Sequence, residues 1–326
     1  MLLSTSTKAP IKVSFILFPG FALSSFSLAV EALSVANKLS GKQLYDYRIL
    51  AAVSSPASGS IESSNNVPIQ VSGTSEECIE SDLVFICGYE DIVNFDDPQL
   101  FANLRRIHRR NARIAALSCG SFILAMAGLL NGKSCTLVPE YRATFCELYP
   151  DIPIQKNLYT ITGNILSCAG GMTALDMLLY IVGLDQGKRF ALQVSEQFLQ
   201  DRIRSSEEIQ TSQRYLLLRI KSPALGAAIE LMESHIEAPY SIGKLAQSIG
   251  TTQRNLETVF QRHEKTTPGR YYLKLRLECA RKMIEESHLP LATIANATGF
   301  SSQSHFGKCF KETYNIQPSQ LRSSDS

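Results

Sequence analysis

Two sets of side chains in the C-terminal third have the chemistry to read a polymer of bases and phosphates. One is Gln253, Arg254, Asn255 and Thr258; the other is Gln303, Ser304, His305 and Lys308. Amide, guanidinium, hydroxyl, imidazole and ammonium groups exchange hydrogen bonds with base edges and phosphate oxygens in a major groove. A third candidate lies far upstream, at Ser118 and Cys119. There an apolar run, Ile114–Ser118, gives way to a helix-like one, Ser121–Leu130. A sharp turn at that join would present a nucleophile at a helix N-terminus, which lowers a thiol pKa. A nucleophile of this kind needs a base. The only histidine before residue 235 is His108, in the basic stretch LRRIHRR, which reads as a solvated helix face.

The first two sets sit in a repeat. Leu245, Ala246 and Gly250 recur as Ile294, Ala295 and Gly299, and Leu256, Phe260 and Pro268 recur as Phe306, Phe310 and Pro318. Each copy reads as helix, turn, helix. An apolar stripe at helical spacing ends at a glycine suited to a left-handed C-cap. Thr251 or Thr252 in the first copy, and Ser301 or Ser302 in the second, then caps the next helix. The small Ala246 and Ala295 let the second helix cross close to the first, as a helix-turn-helix requires. A continuous helix over Tyr271–Ser287 would fix the spacing of the two readers so that they enter successive major grooves.

The third candidate sits in a different kind of chain. Residues 11 to 185 alternate strand-like runs (Lys12–Phe18, Tyr47–Val53, Leu83–Cys87, Ile114–Ser118) with helical ones (Leu23–Leu39, Pro98–Asn111, Ser121–Leu130, Thr173–Gly183). That alternation predicts an α/β doubly wound parallel sheet. Ligands bind such sheets at the carboxyl ends of the strands, here the loops after Phe18, Cys87 and Ser118. The domains expected are therefore 11–185, a mixed-charge linker over 186–222, and an all-α domain over 223–326 with two helix-turn-helix motifs.

Composition narrows the class. The 326 residues exceed a single core, so two domains are expected. No apolar run is long enough to span a membrane, and Met1 to Pro10 lacks the apolar stretch of a signal peptide, so the expected location is the cytoplasm. The eight cysteines form no C-x-x-C pair, which fits buried reduced thiols and neither a disulfide frame nor a metal site. From Pro223 onward there are 12 Lys/Arg against 10 Asp/Glu, an excess too small to indicate nucleic acid by itself. The repeat, not the charge, carries that inference.

Residues 224 to 321, with the stretch ATGFSSQSHFGKCFKETYNIQPSQLR, resemble the AraC-type DNA-binding domain. Gln253 and Thr258 stand where basic residues are common in that family. Residues 11 to 185 resemble the flavodoxin-like, class I glutamine amidotransferase-like (PfpI-like) domain of GlxA-type regulators, through FILFPGF, AVEALSVAN, GSFILAMAGLLNG and GGMTALDM. The resemblance places the family's elbow cysteine at Ser118 and its histidine at Val138. It thus implies a pocket without a catalytic pair, no cofactor and no enzyme activity. It also implies that Glu31 faces the elbow.

The branch that is most similar regulates glycine betaine, carnitine and arginine catabolism, so a small amine-bearing carboxylate is the implied effector. Glu31 and Glu140 would then face the amine, Phe21 would stack on it, and the helix N-termini following Ser118 and Gly171 would hold the carboxylate through backbone N–H groups. The expected partners are double-stranded DNA, this effector, RNA polymerase and a second copy of the chain, with no membrane. The expected role is transcription activation. The alternatives are a thiol amidase or peptidase, with Cys119 as nucleophile, fused to a DNA-binding tail, and a ligand-independent regulator.

Overall fold

The structure, a computed structural model, describes residues 9–52, 59–89, 92–210 and 222–323. It divides into two compact units, Met1–Gln210 and Thr211–Ser326.

The first unit is built on a seven-stranded sheet. Its strands are β1 (Ile11–Leu17), β2 (Tyr45–Ala51), β5 (Gly73–Thr74), β6 (Leu83–Gly88), β7 (Arg113–Ser118), β8 (Tyr159–Thr162) and β9 (Ile165–Cys168), in the order β5-β2-β1-β6-β7-β9-β8. All neighbours run parallel except β8 and β9, which form an antiparallel hairpin at one edge. A separate hairpin pairs β3 (Ser60–Glu62) with β4 (Pro68–Gln70). The two hairpins are additions to the expected parallel sheet.

The central strands are apolar on both faces because both faces are covered. Val13, Phe15, Leu17, Leu83, Phe85, Cys87, Ala115 and Leu117 point into one core. That core is closed by α1 (Leu23–Ser40), α5 (Met172–Gln186) and α6 (Lys188–Glu196). Ile16, Val84, Ile86, Ile114 and Ala116 point the other way, onto α2 (Pro98–Arg109), α3 (Ser121–Met126) and α4 (Arg142–Leu148). Helix α3 stops four residues before the expected end. Gly128, at φ 72°, closes it: its N–H bonds Ala125 O and that of Leu129 bonds Leu124 O, a Schellman turn.

The expected linker departs most from the sequence reading. Helix α6 packs against α1 and α5, and the chain that follows lies on the same unit as far as Gln210. It is held there by an isolated bridge between Asn157 and Ile209 and by backbone bonds from Leu158 to Glu208 and from Gln210 to Lys156. Residues 186–210 are thus part of the α/β unit, and 211–221 lie outside the described residues.

The second unit is all helical: α7 (Pro223–Ser234), α8 (Ile242–Ser248), α9 (Gln253–His263), α10 (Pro268–Glu286), α11 (Leu291–Ala297), α12 (Gln303–Tyr314) and α13 (Pro318–Ser323). The two turns carry the left-handed glycines the repeat predicts, Gly250 at φ 70° and Gly299 at φ 74°. Thr252 caps α9 by accepting from Asn255 N, and Ser302 caps α12 by accepting from His305 N. Ala246 and Ala295 are buried at the crossings. The joining helix α10 starts earlier than expected because Thr267 caps it and Pro268 occupies its first turn.

Candidate functional site

In the helical unit, Leu256 and Phe260 of α9 and Phe306 and Phe310 of α12 are buried. Burying that stripe turns the opposite face of each helix outward. Gln253, Arg254, Asn255, Thr258, Gln303, Ser304, His305 and Lys308 are all exposed. Several are held by neighbours: Asn255 Nδ2 donates to Thr251 Oγ1 at 2.8 Å, and Thr258 Oγ1 donates to Arg254 O at 2.9 Å.

The second helix-turn-helix is held against α10 by Arg276, which the sequence reading did not single out. Its Nε donates to Thr298 O at 2.7 Å and its guanidinium lies 4.2 Å over the Phe300 ring. Phe300 in turn meets His305 edge-on at 5.7 Å. The turn itself is wedged in place, since a Cβ on Gly299 would lie 2.6 Å from Ile236 O and 2.7 Å from Pro239 Cδ.

In the α/β unit, strand β7 ends in an elbow. Ser118 adopts φ 58°, a left-handed conformation that costs a serine on the order of 1 kcal/mol or more. Gly120 follows because a Cβ there would meet Ile86 O at 2.4 Å. Ser118 faces Gly170: a Cβ on that glycine would lie 3.0 Å from Ser118 Oγ and 3.1 Å from Ser25 Oγ. Ser25 Oγ accepts from Gly171 N at 2.7 Å. Two hydroxyls thus converge on one backbone turn at the carboxyl edge of the sheet. The Cys168 thiol lies beside them and is pushed up to about 11 by burial, although N–H groups of Gly170 and Ser118 act to lower it.

On the neighbouring strand, Gly88 pairs in register with Ser118. Tyr89 follows it, its hydroxyl donating to Glu140 Oε2 at 2.8 Å and its ring edge-on to Tyr141 at 5.7 Å. The loop that carries Glu140 is anchored behind the elbow. Ser121 Oγ donates to Thr136 O, Thr136 N donates to Ser167 Oγ, and Gln210 Nε2 donates to Thr136 Oγ1 at 2.7 Å.

Several expected site residues lie elsewhere. Glu31 is on the exposed face of α1, because Ser25, Ala29, Ala32, Leu33 and Ala36 form the stripe that meets the sheet. Ser25, not Glu31, is the α1 residue at the elbow. Phe21 is fully buried with its ring edge-on to Phe26, so neither face is open to stack on a ligand. Cys119 is fully buried in the core between the sheet and α3, with its chain turned away from the elbow hydroxyls. Val138 is half-buried against that same core. His108 lies at the opposite edge of the sheet: its carbonyl accepts from Asn164 Nδ2 just before β9 begins. Its geometry excludes it as a base for Ser118 or Cys119. Two open clefts, one beside Asn37 and Tyr45 and one beside Asp82 and Arg113, also lie at that far edge.

Residues 11–183 match the DJ-1/PfpI family, and residues 245–324 match a helix-turn-helix domain. The chain is 32% identical to the HTH-type transcriptional regulator GbdR of Pseudomonas aeruginosa, covering 96% of this chain and 84% of that one. It is 31% identical to the HTH-type transcriptional regulator GlxA of Rhizobium meliloti, over 99% of this chain and 98% of that one. Among solved structures, an AraC family transcriptional regulator from Pseudomonas putida superposes with a TM-score of 0.52 at 25% identity, covering 58% of this chain and all of that one. Drosophila melanogaster DJ-1beta superposes with a TM-score of 0.52 at 20% identity, over 60% of this chain and all of that one, which shows the shared fold.

Proposed function

The chain belongs to the AraC-type transcriptional regulators that carry a DJ-1/PfpI-family domain ahead of the helix-turn-helix unit, and from that premise we propose that it is a ligand-controlled activator. Its effector is a small amine bearing a carboxylate, bound at the carboxyl edge of the sheet. The observation that carries this reading is the convergence of Ser25 and Ser118 on Gly170, with Tyr89, Tyr141 and Glu140 on the adjacent strand end and loop. Hydroxyls suit a carboxylate, while a carboxylate beside aromatic rings suits an ammonium or quaternary amine. The elbow carries Ser118 where a reactive thiol would stand and His108 is at the far edge, which favours binding over catalysis.

The occupied pocket favours one arrangement of a homodimer in the cytoplasm, and the helical unit then engages DNA beside RNA polymerase. A coupling of about 1–3 kcal/mol is enough for such a switch. Thermal unfolding of the full chain against glycine betaine, carnitine, dimethylglycine and arginine tests the sensor. The expected result is a dose-dependent rise in midpoint with one of these, because only ligands that prefer the folded state stabilise it. Glu140→Gln should abolish the rise. No shift with any amine would support the ligand-independent regulator instead.

A further inference from the structure

Helix α9 presents one carboxylate, Glu257, on the exposed face that also carries Arg254 and Thr258. Its Oε1 accepts from Gln253 Nε2 at 2.9 Å, one turn earlier on the same helix. A carboxylate on a surface that meets DNA is repelled by the phosphates and makes no hydrogen bond to them. It gains only from a hydrogen-bond donor on a base edge. The major groove offers two such donors, the N4 amino group of cytosine and the N6 amino group of adenine.

These donors have different neighbours. Adenine N6 sits between two acceptors, its own N7 and the paired thymine O4, both of which repel a carboxylate. Cytosine N4 has an acceptor on one side only, the paired guanine O6, and a C–H edge on the other. A lone adenine would be better met by Gln253, but its amide N–H is already directed at Glu257. Glu257 lies in the second turn of α9, the part of a recognition helix that reaches base edges.

We propose that Glu257 specifies a cytosine in the DNA half-site of the first helix-turn-helix, with Gln253 holding the carboxylate in place. The proposal rests on α9 entering a major groove. Glu257 is not among the candidates read from the sequence, which are neutral or basic groups able to meet both base edges and phosphates; an acid can meet only a donor on a base edge.

The test is selection of binding sites from random duplexes by the full-length chain, with wild type, Glu257→Ala, Glu257→Gln and Arg254→Ala compared. Wild type should select sites with cytosine at one position read by α9. Glu257→Ala should lose that preference by about tenfold or more. It should also bind random DNA more tightly, as a repulsive charge is removed. Glu257→Gln should move the preference towards adenine, which an amide meets at N6 and N7. Unchanged preference at every position in both Glu257 variants, while Arg254→Ala alters the selected sites, would overturn the proposal. The Gln253–Glu257 pair would then be a surface contact. No change in any of the three variants would instead overturn the placing of α9 in the groove. Glu257 is exposed, so circular dichroism should report an unchanged fold in each variant.

Discussion

Replacing Arg204 with alanine would remove a hydrogen bond and the ion pair, two of four contacts, from a carboxylate that has no access to water. Asp176, in α5, is fully buried. It accepts from Gln200 Nε2 at 2.7 Å, from Arg204 N at 3.0 Å and from Arg204 Nε at 2.9 Å, and pairs with Arg204 NH2 at 2.6 Å. These contacts hold the chain after α6 on the α/β unit. Removing one partner of a buried ion pair costs roughly 3–5 kcal/mol, because the remaining charge is left uncompensated. Two donors survive in Arg204→Ala, the Gln200 amide and the backbone N–H, and the Arg204 side chain is 31% exposed. Both facts place the loss at the low end, about 3 kcal/mol.

For a unit of this size that loss corresponds to a fall in midpoint of about 6–12 °C. The assay is calorimetry on the full chain, which separates transitions of the two units. The same substitution made together with Asp176→Asn should cost much less, since no buried charge is left behind. A fall of less than about 2 °C for Arg204→Ala alone would refute the reasoning: Asp176 would then be solvated, or satisfied by other groups.

The two turn glycines should respond unequally to alanine. Gly250 has nothing within 4 Å of an added Cβ and would bear only left-handed strain, about 1 kcal/mol. Gly299→Ala adds a clash with Ile236 O and should destabilise the helical unit several times more, read as the difference in urea midpoints; equal losses would sink the wedge at Gly299. Thiol labelling at pH 8 should reach Cys146, which is exposed, well before the buried thiols. Burial pushes Cys168 up to about 11 and Cys78 and Cys135 up to about 12, so their thiolate forms are scarce until the pH approaches those values or the unit unfolds. Fast native labelling of Cys119, followed by peptide mass spectrometry, would revive the nucleophile reading.

The sequence by itself determined the two helix-turn-helix motifs and how their helices begin and end. Gly250 and Gly299 adopt the left-handed conformation their positions demand, and Thr252 and Ser302 cap the helices that follow, because caps and turns are decided by a few adjacent residues. The exposed faces of α9 and α12 were legible for the same reason, as one buried stripe per helix fixes the other side. The β8–β9 hairpin was also within reach, since Gly163 and Asn164 separate two strand-like runs, a two-residue turn signal.

Only tertiary structure decided which side chains meet at the elbow. Ser25 and Gly171 are 146 residues apart, and their bond exists because α1 and the turn before α5 pack over one sheet edge. The same packing turns Glu31 outward although Ser25 lies on the same helix, and turns Cys119 into the core although it directly follows Ser118 in the chain. A helix face or a strand side is a choice among a few rotations, and the neighbours that make the choice are far away in sequence.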